Sequence, residues 1–290
     1  MLRNEFAIGD YVSFQDKGLG VTKETRSHMI TLLEALNAEK EYKQDTLFLA
    51  ASLSDRYLVN LAVRNIKAPC MIKLAICATL MSAKLEQPMQ PNFNRMVRLV
   101  ETKWGVQTSR DELIEMERDV IDALDFELHY TGPLTFLERY LRAYNLDCSR
   151  TDRESFIIGG LARSFCRCLL RSHIYLNLKP SQIGAAALTV AVNVCKSEKA
   201  AELGIKPIEN PKLNSLFIEN CLSVEMDGIR EAELNESCPL RMWSPTVLNL
   251  TKLDLEVDLR PSYLLVLNEV NRTMFEGSLS NDKSLYATPD

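Results

Sequence analysis

Apolar residues at helical spacing recur along most of this chain, and no proline interrupts the periodic segments. In residues 45–60 the apolar side chains cover two adjacent faces of the predicted helix, so this helix has to lie inside a bundle. Similar spacing predicts further helices over residues 25–38, 69–86, 93–101, 109–124, 133–144, 155–171, 179–187, 211–221, 225–236 and 261–274. Glycine and proline number only 11 each, and most prolines stand at the predicted helix boundaries. The sequence therefore predicts an all-α protein.

Two of the predicted helices resemble each other. Three residues hold matching places in the two segments: Pro69 with Pro180, Ile72 with Ile183, and Ala75 with Ala186. Apolar helices stand before and after each segment in the same order, which favours two helical repeats. The alternative is that both segments are simply central core helices, since proline-initiated, alanine-rich helices are common.

Composition and charge limit the functional classes. The net charge is −5 and no run of Lys and Arg could follow a phosphate backbone, so we expect no direct nucleic-acid partner. The start of the chain lacks the apolar core of a secretory signal, and no apolar stretch is long enough for a membrane helix. The eight cysteines are scattered without a C-x-x-C pair, which indicates reduced thiols. We expect an intracellular protein of the nucleus, the cytoplasm or both, with no membrane partner.

Residues with the patterns of a catalytic or metal site are scarce. The three histidines His28, His129 and His173 do not pair at metal-ligand spacing. The chain has no nucleophile elbow, zinc-protease motif, Walker motif or dinucleotide-type glycine motif. We therefore expect a non-catalytic protein without metal or cofactor. An unrelated helical enzyme whose reactive residues match no known pattern is the remaining alternative.

Several segments, in order, resemble the cyclin box. They are Arg26, DTLFLAASLSDRYL at 45–58, MSAKLE at 81–86, MERDVIDALDFEL at 116–128, TGPLTFL at 131–137, and PSQI with its alanine run from 180. The resemblance spans roughly residues 25–235. It implies tandem five-helix cyclin-box repeats. We expect a lead-in at 1–24, a first, kinase-binding box at 25–130, a second repeat at 131–238, and a partly disordered C-terminal extension at 239–290.

The resemblance to cyclins implies a regulatory subunit that binds and activates a cyclin-dependent Ser/Thr protein kinase in cell-cycle control. Lys84 and Glu117 match the family residues that bond to kinase backbone, the ammonium to carbonyl groups and the carboxylate to N–H groups. Five apolar residues are expected to pack around this pair on the kinase: Leu80, Leu85, Ile121, Phe126 and Leu128. Considered without the resemblance, Lys84 fits a solvated residue near a helix end, and Glu117 fits a surface ion pair. Kinase substrates or inhibitors are further expected partners.

Arg26 and Asp55 have a structural role in this interpretation. In the family these positions form a buried salt bridge between the first two helices. We therefore expect changes at either residue to unfold the repeat, whereas changes at Lys84 or Glu117 should spare the fold.

The chain departs from cell-cycle cyclins at the surface that recruits substrates in that family. The Asp-Trp pair of the family's first helix is replaced by Thr31 and Leu32. The residues of this divergent patch are His28, Met29, Leu32, Ala35 and Ile72. We expect altered or absent substrate docking. This leaves open a second function, that of a cyclin-fold adaptor in transcription or scaffolding that activates no kinase.

Overall fold

The computed structural model describes residues 5–13, 19–143, 153–196, 248 and 253–279. Within them the regular secondary structure is helical, which confirms the predicted all-α class. The α-helices in chain order are α1 Lys23–Glu39, α2 Gln44–Val63, α3 Met71–Glu86, α4 Phe93–Trp104, α5 Arg110–Ala123, α6 Pro133–Ala143, α7 Arg153–Arg171, α8 Pro180–Lys196 and α9 Arg260–Leu279. A 3₁₀ turn spans His173–Asn177, and a π-helical turn spans Leu255–Leu259. The helices predicted at 211–221 and 225–236 lie outside the described residues.

Local sequence signals explain where several helices begin. Ser109 caps α5 and Glu112 returns the bond, which is the capping box that the sequence predicts. Thr22 and Thr25 form the same reciprocal arrangement before α1. The placement of Pro69 in the first turn of α3 is wrong, because the helix begins at Met71. Since proline fixes only its own φ and lacks an N–H, it serves equally well in the extended segment before a helix.

The chain forms two compact units, of which the first comprises Met1–Gly132 and Leu170–Pro180. Its core is built around α2 and α3, which pack against each other and against α1 and α5. Nearly every residue of α2 up to Leu58 is buried, as its two apolar faces predict. Small residues of α3, such as Ala75, Ala78 and Ala83, are also buried and let neighbouring helices approach closely.

The described part of the N-terminal lead-in packs on this first unit. The Gly9 N–H donates to the carbonyl of Leu176 at 2.9 Å, and the Leu19 carbonyl accepts from the N–H of Ala68 at 3.0 Å. Three apolar side chains near these bonds are buried: Ile8, Tyr11 and Val12. The lead-in therefore adds to the core of the first unit.

The second unit comprises Pro133–Leu169 and Ser181–Asp290. In it α8 approaches α6 so closely that a methyl group on Gly184 would lie 2.9 Å from the Pro133 carbonyl oxygen. Gln182 on α8 donates to Asp258 in the π-helical turn at 2.8 Å. The predicted repeat boundaries at 25–130 and 131–238 stay a prediction; residues 170–180 group with the first unit here.

Candidate partner-binding site

Lys84 and Glu117 come together across two neighbouring helices of the first unit. Lys84 lies in the last turn of α3 and Glu117 lies in the middle of α5, which packs against α3. The Lys84 Nζ atom is 2.5 Å from Glu117 Oε1 and 2.7 Å from Oε2. The Ser109 cap sets the start of α5 and with it the register that brings the carboxylate to the end of α3.

This ion pair is half-buried. The Lys84 side chain is 29% exposed and that of Glu117 is 19% exposed. An ammonium carries three N–H donors and a carboxylate has about four acceptor positions, so the mutual bonds leave capacity on both groups. The pair can therefore bind further donors and acceptors at the surface while it remains intact.

An aromatic ring supports the ammonium, and sequence reasoning missed it. Phe93, the first residue of α4, has its ring centre 4.9 Å from Lys84 Nζ. The guanidinium of Arg110 lies 5.9 Å from the same ring centre. Cations are attracted to the face of an aromatic ring at these distances. Only the Asn92 cap signals this arrangement in the sequence, because it fixes where α4 begins and hence where Phe93 points.

A buried cysteine of α3 lies near the ion pair. Cys77, two turns before Lys84 on α3, is buried, and its thiol lies 3.8 Å from the Leu113 carbonyl oxygen. Burial, together with the negative charge of Glu117, raises the pKa of the Cys77 thiol to about 12, against the smaller opposite effect of Lys84. The thiol is therefore neutral at physiological pH and contributes packing only.

The apolar residues predicted around the pair divide into surface and core. Phe126 is 73% exposed and Leu85 is also exposed, whereas Ile121 and Leu128 are half-buried. Leu80 is only 1% exposed, so its predicted place on a contact surface is wrong for this structure. It lies among the consecutive buried residues of α3, on a face that points into the bundle.

The structure joins Arg26 and Asp55 in the interior of the first unit. Arg26 on α1 donates from Nε to Asp55 Oδ1 at 3.0 Å and from Nη2 to Oδ2 at 2.8 Å. Its Nη1 donates to the carbonyls of Leu170 and Ser172, both at 3.0 Å. Both side chains are at most 1% exposed.

Tyr11 of the lead-in is a third member of this buried cluster, and sequence reasoning missed it. Its hydroxyl donates to Asp55 Oδ1 at 2.6 Å. Burial and the charge of Asp55 raise the pKa of Tyr11 well above its usual value. Burial opposes the charged form of Arg26, but Asp55, with smaller contributions from Tyr11 and Tyr175, outweighs burial and holds the pKa of Arg26 above its usual value. The guanidinium therefore stays charged inside the core.

The residues of the divergent patch do not form one exposed surface. His28 and Ile72 are exposed, and Leu32 and Ala35 are half-buried. Met29 is buried in the core, which contradicts its predicted place on a docking patch. Its position on α1 faces the interior together with Ile30 and Leu33.

The described residues contain no group of three or more His, Cys, Asp or Glu side chains placed to hold a metal ion. No helix among them is both long and apolar enough to cross a membrane.

Comparison with known proteins finds similarity to cyclins. Residues 3–129 match the domain family described as "Cyclin, N-terminal domain". The chain is 25% identical over 190 residues to G2/mitotic-specific cyclin-B3 of Gallus gallus, an alignment that covers 66% of this chain and 43% of the relative. It is 28% identical over 174 residues to G2/mitotic-specific cyclin-B3 of Caenorhabditis elegans, covering 60% of this chain and 42% of the relative. The aligned region thus spans less than half the length of these relatives.

A solved structure shows the same fold. The viral cyclin from herpesvirus saimiri superposes with a TM-score of 0.53 at 18% sequence identity, covering 87% of each chain. The sequence match covers α1 to α5, which carry the Lys84–Glu117 pair and the Arg26–Asp55 pair. Residues 3–129 therefore match a cyclin N-terminal domain, and the chain is similar in sequence to cyclins over about two thirds of its length.

Proposed function

We propose that this chain is a cyclin, a non-catalytic regulatory subunit that binds a cyclin-dependent Ser/Thr protein kinase and activates it. The observation that carries the proposal is the half-exposed Lys84–Glu117 pair, with Leu85 exposed beside it and Phe126 exposed just after α5. The relatives named above are described as mitotic cyclins, which supports a role in cell-cycle control. The reduced thiols of Cys77 and Cys166 agree with an intracellular location.

The arrangement suits the backbone at the start of a partner helix. The first N–H groups of a helix lack internal partners and can donate to the Glu117 carboxylate, while carbonyls of the preceding segment can accept from the Lys84 ammonium. Phe126 and Leu85 offer apolar area to the side chains of that helix. A polar pair that fixes register beside large apolar side chains is typical of a specific interface.

Activation follows if binding is stronger to one conformation of the kinase. A partner that binds the active position of the kinase's regulatory helix shifts the population toward it. In that position the kinase's own Lys–Glu pair and Mg²⁺ site are assembled. All the phosphoryl-transfer chemistry then belongs to the kinase, and this chain supplies the binding free energy.

The first experiment measures binding of the purified chain to purified cyclin-dependent kinases of its source organism. The double variant Lys84→Glu with Glu117→Lys keeps an ion pair between α3 and α5 but exchanges donor and acceptor. We expect it to keep the fold and to weaken kinase binding by about 30-fold or more, since charged groups in an interface contribute about 2–5 kcal/mol each.

The chain offers a control in a more exposed ion pair of the same unit. Lys103 Nζ is 2.5 Å from Glu39 Oε2, and these side chains are 48% and 37% exposed, against 29% and 19% for Lys84 and Glu117. The double variant Lys103→Glu with Glu39→Lys makes the same exchange of charges. We expect it to bind the kinase like the unmodified chain, because surface pairs contribute little.

Phosphorylation of a peptide substrate by the complex separates activation from binding alone. We expect kinase activity to rise with bound cyclin and to follow the binding of each variant. Binding without activation would instead support the adaptor function. A folded chain that binds none of the kinases refutes the proposal.

A further inference from the structure

The turn after α5 has left-handed backbone at two successive residues that are not glycine. Asp125 has φ +49° and Phe126 has φ +60°. The N–H of Asp125 donates to the carbonyl of Asp122, and the N–H of Phe126 donates to the carbonyl of Ile121, which is the Schellman pattern. Glycine usually supplies the left-handed residue in this motif, and a large aromatic residue in a second left-handed position is strained. Contacts from outside the turn are needed to hold it.

Two side chains of α2 bind carbonyls on the two sides of this turn. Asn60 Nδ2 donates to the carbonyl of Ala123 at 2.9 Å. Arg56 Nη2 donates to the carbonyl of Glu127 at 2.7 Å. Because the two residues are four apart on one helix, they project from the same face. Together they fix the backbone just before and just after the two left-handed residues.

The N-terminal lead-in in turn holds Arg56. The guanidinium lies 5.5 Å from the ring centre of Phe6, a cation–π distance. The Phe6 ring meets Tyr130 edge-on, with 6.5 Å between ring centres. The side chain of Arg56 is therefore restricted on one side by an aromatic pair while it donates to the turn.

The two hydrogen bonds from Arg56 and Asn60 form a clamp on the turn, and this clamp determines the position of Phe126. The turn carries a large apolar side chain that is 73% exposed. A side chain that is held in place before binding loses less conformational freedom when a partner covers it. Buried aromatic anchors of this kind contribute a large share of the affinity of protein interfaces.

We infer that Arg56 and Asn60 are positioning residues, which hold the turn after α5 so that Phe126 meets the kinase helix in its binding orientation. This inference rests on the proposed kinase-binding function. It adds α2 and the lead-in residue Phe6 to the structure that supports the interface, although neither residue of the clamp needs to touch the kinase.

The test uses Asn60→Leu, which removes the donor to Ala123 with little change in volume. Asn60 Oδ1 has no hydrogen-bond partner among the described residues, so leucine removes no satisfied acceptor. We expect kinase binding to weaken by about three- to tenfold, which corresponds to the net free-energy contribution of one hydrogen bond. The matched control is Asn37→Leu: Asn37 Nδ2 donates to the Tyr42 carbonyl at 3.0 Å and its Oδ1 likewise lacks a described partner. We expect Asn37→Leu to bind the kinase normally.

A double-mutant cycle distinguishes positioning from general destabilisation. If Asn60 acts through Phe126, then Asn60→Leu will weaken binding in the unmodified chain and have no further effect in a Phe126→Ala chain. Equal binding by Asn60→Leu and the unmodified chain, or an effect of the same size in the Phe126→Ala chain, overturns the inference and leaves the proposed function standing. If the unmodified chain binds no kinase, the proposed function fails and the inference fails with it.

Discussion

Replacing Asp55 by asparagine should lower the free energy of unfolding of the first unit by about 3–5 kcal/mol, the cost of removing one partner of a buried ion pair. The carboxylate accepts three bonds, two from Arg26 at 2.8 and 3.0 Å and one from the Tyr11 hydroxyl at 2.6 Å. Asparagine preserves the volume, but it removes the negative charge and turns one acceptor into a donor that faces the guanidinium. Arg26 would then remain charged in the core with only carbonyl partners.

Two further variants show how much the members of the cluster contribute to the free energy of unfolding. Tyr11→Phe removes one hydrogen bond to a charged acceptor and leaves the ion pair, so it should cost about 1.5–3 kcal/mol. The double change Arg26→Met with Asp55→Leu should cost less than the sum of the single changes, because no uncompensated charge stays buried. The expected order of destabilisation is therefore Asp55→Asn above Tyr11→Phe.

Urea unfolding followed by circular dichroism measures these differences, and pH gives an independent readout. Because burial and Asp55 raise the pKa of Tyr11 in the folded state, the unfolded chain loses this proton first as pH rises above about 10. The free energy of unfolding should then fall with rising pH, more steeply in the unmodified chain than in Tyr11→Phe. A loss of less than about 1 kcal/mol in Asp55→Asn would refute the reasoning, since it lies below any buried-pair cost.

Other predictions concern packing and thiol chemistry. Gly184→Ala should destabilise the second unit by about 1–3 kcal/mol in thermal unfolding, because its new methyl group meets backbone of α6 at 2.9 and 3.1 Å. Gly160→Ala is the control: its methyl group meets nothing within 4 Å, so helix propensity should stabilise α7 by about 0.5–1 kcal/mol. A maleimide reagent at pH 8 should label the exposed Cys70 well before the buried Cys77, because burial raises the pKa of the Cys77 thiol to about 12. Mass spectrometry of peptides after brief labelling measures the order of labelling. Equal labelling rates would contradict the burial of Cys77.

Periodicity was sufficient to predict the helices of the described residues, because each one carries its own signal. The capping box at Ser109 and the two apolar faces of residues 45–60 are local features, and the structure confirms both. The burial of individual residues depends on the packing of neighbours, which periodicity does not encode. Leu80 and Met29 therefore carried the right chemistry for a surface contact, yet both lie in the core.

Contacts between distant segments were the part that sequence reasoning missed. Tyr11 is 44 residues from Asp55, and Arg56 is 71 residues from the carbonyl that it binds. Nothing in the spacing of either residue indicates its partner, because a single hydrogen bond leaves no periodic trace in a sequence. The resemblance to cyclins supplied Arg26 and Asp55, but not the tyrosine that completes their cluster.

The two central ion pairs of the first unit use the same chemistry at different depths, and depth separates their roles. Arg26 and Asp55 are excluded from water and have their bonds satisfied within the chain, so a partner can reach neither group. Lys84 and Glu117 keep part of their surface and some bonding capacity. A charge that is buried and paired makes the fold sensitive to its loss, whereas a half-exposed pair can exchange part of its hydration for a partner. Folding and recognition should therefore respond to different substitutions in one small domain, which is why the charge exchange at Lys84 and Glu117 can test binding in a chain that still folds.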